Sequence, residues 1–173
     1  MIQIRNYSLV AVLLLSFSSI GCAGSPAEES RPAVGSTAND EVEKNKAVVR
    51  RWTDEAHNKR NLAVVDEIYT ADYRGHMLSG DSINKEQGKQ MELAFQADFP
   101  THSVTIDDIF GEGDRVVSRW TLSATHKSGK PVVLKGVSIA RFVNGKISEE
   151  WVSMDNAAMV AQLAGGAEPP AQQ

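Results

Sequence analysis

Apolar residues recur every three to four positions before Pro100 and every two positions after it. Val42, Val49, Trp52 and Ala56 form one stripe and predict a helix over residues 40–57, with Asp40 and Glu43 as a capping box at its start. Residues 58–61 interrupt the stripe. Asn61 is then placed to cap a short second helix whose inner face carries Leu62, Val65, Ile68 and Tyr69. Residues 73–78 read as extended or irregular, and residues 84–99 as a third helix that buries Met91, Ala94 and Phe95. Gly88 costs that helix about 1 kcal/mol relative to Ala, and Pro100 ends it. The alternating pattern that follows predicts strands over 103–110, 115–127, 131–143 and 146–155. Ser128-Gly129 fits a two-residue hairpin loop, and Asn144-Gly145 is a strong hairpin signal. A last short helix is expected over 156–164, capped by Asp155 or Asn156. Helices first and an antiparallel meander afterwards predict an α+β domain.

Neither end of the chain fits this pattern. Residues 1–21 read as a signal peptide: Arg5 and the amino terminus are positive, residues 9–17 are apolar, and Ser18, Ser19, Ile20 and Gly21 precede a cut. The apolar run falls short of the roughly 20 residues a membrane-spanning helix needs. Two cuts fit, an ordinary one after Ala23 and a lipoprotein one before Cys22. Ser19-Ile20-Gly21-Cys22 is similar to the bacterial lipoprotein signal, and a lipidated Cys22 accounts for the chain's single cysteine. The expectation is therefore an exported, membrane-anchored lipoprotein, facing the periplasm from the outer membrane. Residues 22–39 are expected to be the lipidated Cys and a flexible tether, residues 40–164 the domain, and residues 165–173 a disordered tail.

Composition narrows the chemistry. The 173 residues are 42% apolar and 23% charged, as in an ordinary globular domain. A net charge of −4 gives no basic face, so no nucleic-acid partner is expected. No His or carboxylate spacing matches a metal motif, no Gly-rich loop opens a helix, and no Ser sits in a nucleophile elbow. No metal and no cofactor are expected.

Three segments in order, NKAVVRRWTDEAHNKRNLAVVDEIYTADYRGH, GEGDRVVSRWTLSATH and RFVNGKISEEWVSMD, resemble the SnoaL-like ester cyclases over about residues 44–160. The resemblance implies a nuclear-transport-factor-2-like cone, in which helices cap the concave face of a curved antiparallel sheet around a mostly apolar pocket. It also implies a homodimer through the outer face of the sheet. Two cyclase positions differ. Val152 stands where those enzymes carry a catalytic Asp, and Ser138 where they carry a pocket His. A tight turn at 127–130 replaces the insertion that follows the Thr-His pair. The likeness therefore supports the fold more than the cyclase mechanism.

Strand alternation sorts candidates onto two faces, but register across Asn144-Gly145 is ambiguous. A two-residue loop pairs Ser138 with Trp151. A three-residue loop with a bulged Gly145 puts Ser138 with Glu150 and Val152, and the family pattern favours this second register. The concave face then holds Val117, Arg119, Thr121, Leu134, Ser138, Ala140, Phe142, Glu150, Val152 and Met154. The outer face holds Trp120, Leu122, Val137, Ile139 and Trp151 as the dimer patch. The ligand pocket is assigned to Trp52, Tyr73, Met91, Phe95, Thr121, Ser138, Val152 and Met154. Arg119 and Glu150 are expected as an ion pair inside the cone, structural or catalytic, with His76 at its opening. His57, His102 and His126 are assigned to the surface. The expected partner is a small, mostly apolar ligand. Whether the domain only binds it or also performs acid–base chemistry with Glu150, Arg119 and His76 stays open, with simple binding preferred.

Overall fold

The structure, a computed structural model, describes residues 34–77 and 80–165. Residues 1–33, which hold the expected signal segment, Cys22 and much of the expected tether, lie outside the described residues, as do residues 78–79 and the tail beyond residue 165.

Helix α1 (Val34–Arg51) runs six residues further toward the amino terminus than expected. Nothing between Val34 and Asp40 forbids helical geometry, so Asp40 is an interior residue and caps nothing. At Trp52 the helix widens into a π-helical stretch, Trp52–Asn58, closed by Lys59 N–H donating to the Asp54 carbonyl at 2.9 Å. Such widening is rare and concentrates at functional sites. A 3₁₀ turn (Leu62–Val64) leads into α2 (Val65–Ile68). Asn61 precedes that turn, but its side chain donates to Glu55 at 3.5 Å instead of capping.

Two short strands come next, β1 (Tyr69–His76) and β2 (Ser82–Ile83). Helix α3 (Lys85–Asp98) starts at a capping box: Asn84 Oδ1 accepts from Gln87 N–H, and Gln87 Oε1 accepts from Asn84 N–H, both at 2.9 Å. Lys89 and Lys85 on α3 hold Asp66 of α2, and their hydrogen bonds pull its carboxyl down to about 2. The meander is β3 (Thr101–Glu112), β4 (Arg115–Thr125), β5 (Pro131–Val143) and β6 (Lys146–Met154). Helix α4 (Asn156–Ala164) closes the domain, with Asp155 accepting from Ala158 N–H at 2.9 Å.

The six strands lie in the order β2-β1-β6-β5-β4-β3. Strand β1 joins β6 in parallel, so the sheet is mixed and not wholly antiparallel. The fold is the expected α+β cone, a curved sheet capped by helices. Two apolar clusters build it. One joins Val49, Ala56, Val65, Ile68 and Tyr69 to Val116, Phe142 and Ile147, and the other joins Phe99, Leu122, Val132 and Leu134 to Phe95, Trp120 and Leu163. Beyond the end of β6, buried Gln162 takes over the free edge of β5, pairing with Val133 N–H at 2.9 Å and Val133 C=O at 3.0 Å.

Two hairpins decide which side chains enter the cone. In β5–β6, Val143 pairs with Lys146, so Asn144-Gly145 is a two-residue loop, with φ of 51° and 73°. That loop alone would pair Ser138 with Trp151, but the register shifts by one residue between Arg141 and Phe142. Ser138 therefore faces Val152, and Ala140 faces Glu150. The expected face of β6 is correct, but a bulge at Ser148 produces it, not a longer loop. In β4–β5 the expectation fails. His126 N–H donates to Lys130 C=O at 2.8 Å, leaving a three-residue loop, 127–129, with Gly129 at φ 85°. Ser138 then pairs with Ser118, and Gly136 with Trp120. One residue of slip turns every side chain of a strand over. On β4, Val116, Ser118, Trp120 and Leu122 point inward, and Val117, Arg119 and Thr121 point outward.

Candidate functional site

A cavity of about 340 Å³ opens where the two apolar clusters meet. That volume lies in the range of small-molecule sites, and an apolar wall with a few polar groups is their usual form. Seven of the eight assigned pocket residues line it: Trp52, Tyr73, Met91, Phe95, Ser138, Val152 and Met154. Thr121 does not. Met91, expected to be buried, is 47% exposed and lines the cavity from the rim of α3. Trp120, expected on the outer face, forms part of the wall and donates from Nε1 to Ser138 Oγ at 3.0 Å.

Glu150 is the first polar pole. It projects from β6 into this apolar space, and among the described residues no cation forms an ion pair with it. Tyr69 and Tyr73 each donate a hydrogen bond to its Oε2, both at 3.2 Å. The two phenol rings stack, with centroids 4.1 Å apart and planes at 13°. Burial raises the Glu150 carboxyl above the ordinary carboxylate range, against the lowering effects of the Tyr73 and Tyr69 hydrogen bonds and the charge of His57. Burial and the nearby Glu150 charge also push both phenols upward.

The second pole was missed in the sequence. The π-helical stretch carries His57 to the cavity wall, and Glu92 reaches it from α3. His57 Nδ1 lies 3.2 Å from Glu92 Oε1, within charge-pairing reach though off the line of a hydrogen bond. Gln96 Nε2 donates to the same Glu92 oxygen at 2.9 Å. Burial pushes the Glu92 carboxyl up, but His57 and Gln96 outweigh it and the net direction is down. Trp52 meets the His57 ring edge-on, with centroids 5.2 Å apart. His102, also assigned to the surface, has Nε2 3.0 Å from His57 O and Nδ1 2.8 Å from Phe99 O, so it braces the π-helical stretch from β3. Gly88, Met91, Glu92 and Phe95 all line the cavity, at i, i+3, i+4 and i+7. That helical stripe is the signal that could have found Glu92.

The expected Arg119–Glu150 ion pair does not form. Arg119 lies on the outer face, where Nη1 reaches Asp107 at 3.0 Å and Thr121 Oγ1 donates to the same carboxylate at 2.8 Å. The three-residue loop at 127–129 is the cause, because it inverts β4. His76 borders the cavity opening, but its ring stacks on Trp151, with centroids 4.6 Å apart, on the outer face. There its Nε2 is 3.9 Å from Glu149, which accepts from Arg141 at 2.9 Å. Among the described residues, no three His, Cys, Asp or Glu side chains converge as a metal site would require.

Comparison with known proteins agrees with this architecture. The SnoaL-like polyketide cyclase family matches residues 47–163. IdmH, a candidate polyketide cyclase from Streptomyces antibioticus, is 26% identical, with a TM-score of 0.65 over 69% of this chain and 98% of its own. A candidate SnoaL-like polyketide cyclase from Jannaschia sp. CCS1 is 21% identical, with a TM-score of 0.67 over 82% of this chain and 99% of its own. A protein from Burkholderia pseudomallei described as nuclear-transport-factor-2-like is 22% identical, with a TM-score of 0.59 over 69% of this chain and 96% of its own. Among curated proteins no match is found.

Proposed function

This chain belongs to the SnoaL-like polyketide cyclase family, and we propose that its cone binds a small, mostly apolar molecule carrying one oxygen that hydrogen-bonds to Glu150. One observation carries this reading: the Glu150 carboxyl, raised above its ordinary value by burial, stands in a cavity of about 340 Å³ with mostly apolar walls. Both phenols bond to Oε2, which leaves Oε1 for a ligand. A neutral carboxyl can donate a hydrogen bond there, so a carbonyl or hydroxyl oxygen is the matching group. The apolar wall supplies affinity, at about 25 cal/mol per Å² of apolar surface removed from water.

The test is a titration of the full chain with the neutral dye N-phenyl-1-naphthylamine. Saturable fluorescence enhancement at one dye per chain is expected. Val152→Trp, which places an indole in the cavity, should abolish it. Equal dye binding by wild type and Val152→Trp would refute the cavity as the site.

A second reading is acid–base catalysis centred on Glu150. It is favoured by the raised carboxyl, since a general acid or base works best when poised near the operating pH. Arg119 has no part in that reading, because its side chain lies on the outer face of the sheet, and His76, at the cavity border, stacks its ring on Trp151 beside Glu149. We further propose that Cys22 is lipidated and holds the domain on a membrane surface, outer-membrane and periplasm-facing. The basis is the placement of the only cysteine directly after a short apolar segment. Mass spectrometry of the membrane fraction should find an acylated amino-terminal Cys22, and an unmodified soluble form would overturn the proposal.

A further inference from the structure

We propose that His57, positioned by Glu92, is a second proton-transfer group of the cavity, so that with Glu150 it acts at two points on one ligand: a neutral ketone with an acidic C–H beside its carbonyl. This rests on the reading that the cavity holds a ligand, and it names the ligand's chemistry.

The geometry has three parts. His57 and Glu150 line the same cavity but come from different elements, the π-helical stretch and β6. Glu92 Oε1 stands 3.2 Å from His57 Nδ1, with Gln96 holding that oxygen at 2.9 Å. A carboxylate at Nδ1 favours the tautomer with its proton on Nδ1, which leaves Nε2 as the basic nitrogen. Trp52 edge-on and His102 at the His57 carbonyl hold the ring and its backbone in place. The two carboxyls of the cavity also differ as an acid and a base support should. Burial raises Glu150, whereas His57 and Gln96 overcome burial and lower Glu92.

The step balances without a co-reactant. His57 Nε2 takes the proton from the carbon beside the ketone. The C–H electron pair becomes the new C=C bond, and the carbonyl π pair moves to oxygen, which receives the Glu150 carboxyl proton. The products are an enol, an imidazolium and a carboxylate. Return of one proton from His57 to carbon and one from the enol oxygen to Glu150 restores both groups. When the imidazolium exchanges with solvent before the return, the carbon acquires a solvent hydrogen.

The probe is 2-tetralone, a neutral bicyclic ketone, whose C1–H exchange in D2O is followed by proton NMR with the full chain. Wild type should displace the naphthylamine dye with the ketone and exchange its C1 protons with saturation kinetics. His57→Ala should keep ketone binding and lose at least about 100-fold in saturating exchange rate, the usual scale of a general base. Added imidazole should restore part of that loss. Glu92→Gln should lower the saturating rate by about 10-fold with the half-saturation concentration within about two-fold, a split that mere structural damage would not give. If the ketone displaces the dye but exchanges no faster than with an equal concentration of free imidazole, the proposal is overturned while the cavity reading stands. It is overturned in the same way if His57→Ala exchanges like wild type. If the dye binds and the ketone does not, the ligand class is wrong. If neither binds, the cavity reading itself falls.

Discussion

Gly136→Ala tests the register that places Trp120 in the cavity. Gly136 sits on β5 directly across from Trp120 and has ordinary extended backbone, so only space opposes a side chain there. A Cβ built on it would lie 2.2 Å from Trp120 Cζ2 and 2.4 Å from Cη2. Carbon atoms pack at about 3.5–4.0 Å, so the indole must move by about 1 Å or more. Moving it strains the 3.0 Å bond from Nε1 to Ser138. Overpacking costs about 1–3 kcal/mol, and a lost hydrogen bond costs about 1 kcal/mol. Replacing Gly in a strand returns about 0.5–1 kcal/mol. The expected net loss is about 1.5–3 kcal/mol, a fall in Tm of roughly 5–12 °C for a domain of this size. Urea and thermal unfolding by circular dichroism measure it, and dye affinity should fall with it. In a Trp120→Leu background the offending ring atoms are gone, so the same substitution should be near neutral, a coupling of at least about 1.5 kcal/mol. A Gly136→Ala protein within about 0.5 kcal/mol of wild type, or an equal penalty in both backgrounds, would refute the register.

Glu150→Gln should remove a pH dependence. Glu150 binds its proton more tightly folded than unfolded, so it costs nothing at pH below the ordinary carboxylate range. The cost grows as pH rises above that range and is complete once pH passes the raised folded value, at about 1.4 kcal/mol for each tenfold difference in proton affinity. Relative to wild type the Gln protein should gain stability from pH 4 to pH 7, and a pH-independent difference in urea midpoint would show the carboxyl is not held protonated. We propose a homodimer built on the outer sheet face, which retains Val137, Ile139 and Trp151 but loses Trp120 and Leu122 to the interior, and Trp151→Glu should dissociate it. Light scattering decides this, and a monomeric wild type at high concentration would dispose of the interface.

The helices and the meander were legible because their periods differ and their boundaries carry local chemistry. Pro131 to Val143 and Asn156 to Ala164 fall where the pattern put them. The parallel strand β1 was not, because alternation is weak there: Tyr69, Tyr73 and Gly75 are buried, while Ala71 between them is exposed. Its pairing with β6 spans some 80 positions of sequence, and no local turn encodes it. The apolar pocket was mostly legible, since it needs only the inner stripe of each element. The second pole was not, because helical spacing takes a normal α1 past Trp52. The wider π-helical stretch decides where His57 points, and that departs from a 3.6-residue repeat.

The two hairpins show why the site's charge was misjudged. A two-residue loop of the primed kind needs positive φ at both central residues. Asn tolerates that conformation and Ser does not favour it. Asn144 and Gly145 accordingly both take positive φ, whereas in the other loop only Gly129 does. Ser128-Gly129 therefore cannot close a two-residue loop of that kind. Lys127 and Ser128 make the turn and Gly129 the bulge, in a three-residue loop. The residue type alone, Ser against Asn before Gly, decides which face of β4 looks inward. With β4 in its actual register Arg119 leaves the cone and Trp120 enters it, so the Glu150 carboxyl is held by two tyrosines and not by Arg119. An unpaired buried charge is strongly unfavourable. Burial accordingly raises the Glu150 carboxyl, and the ion pair expected of it gives way to a carboxyl held by two phenols.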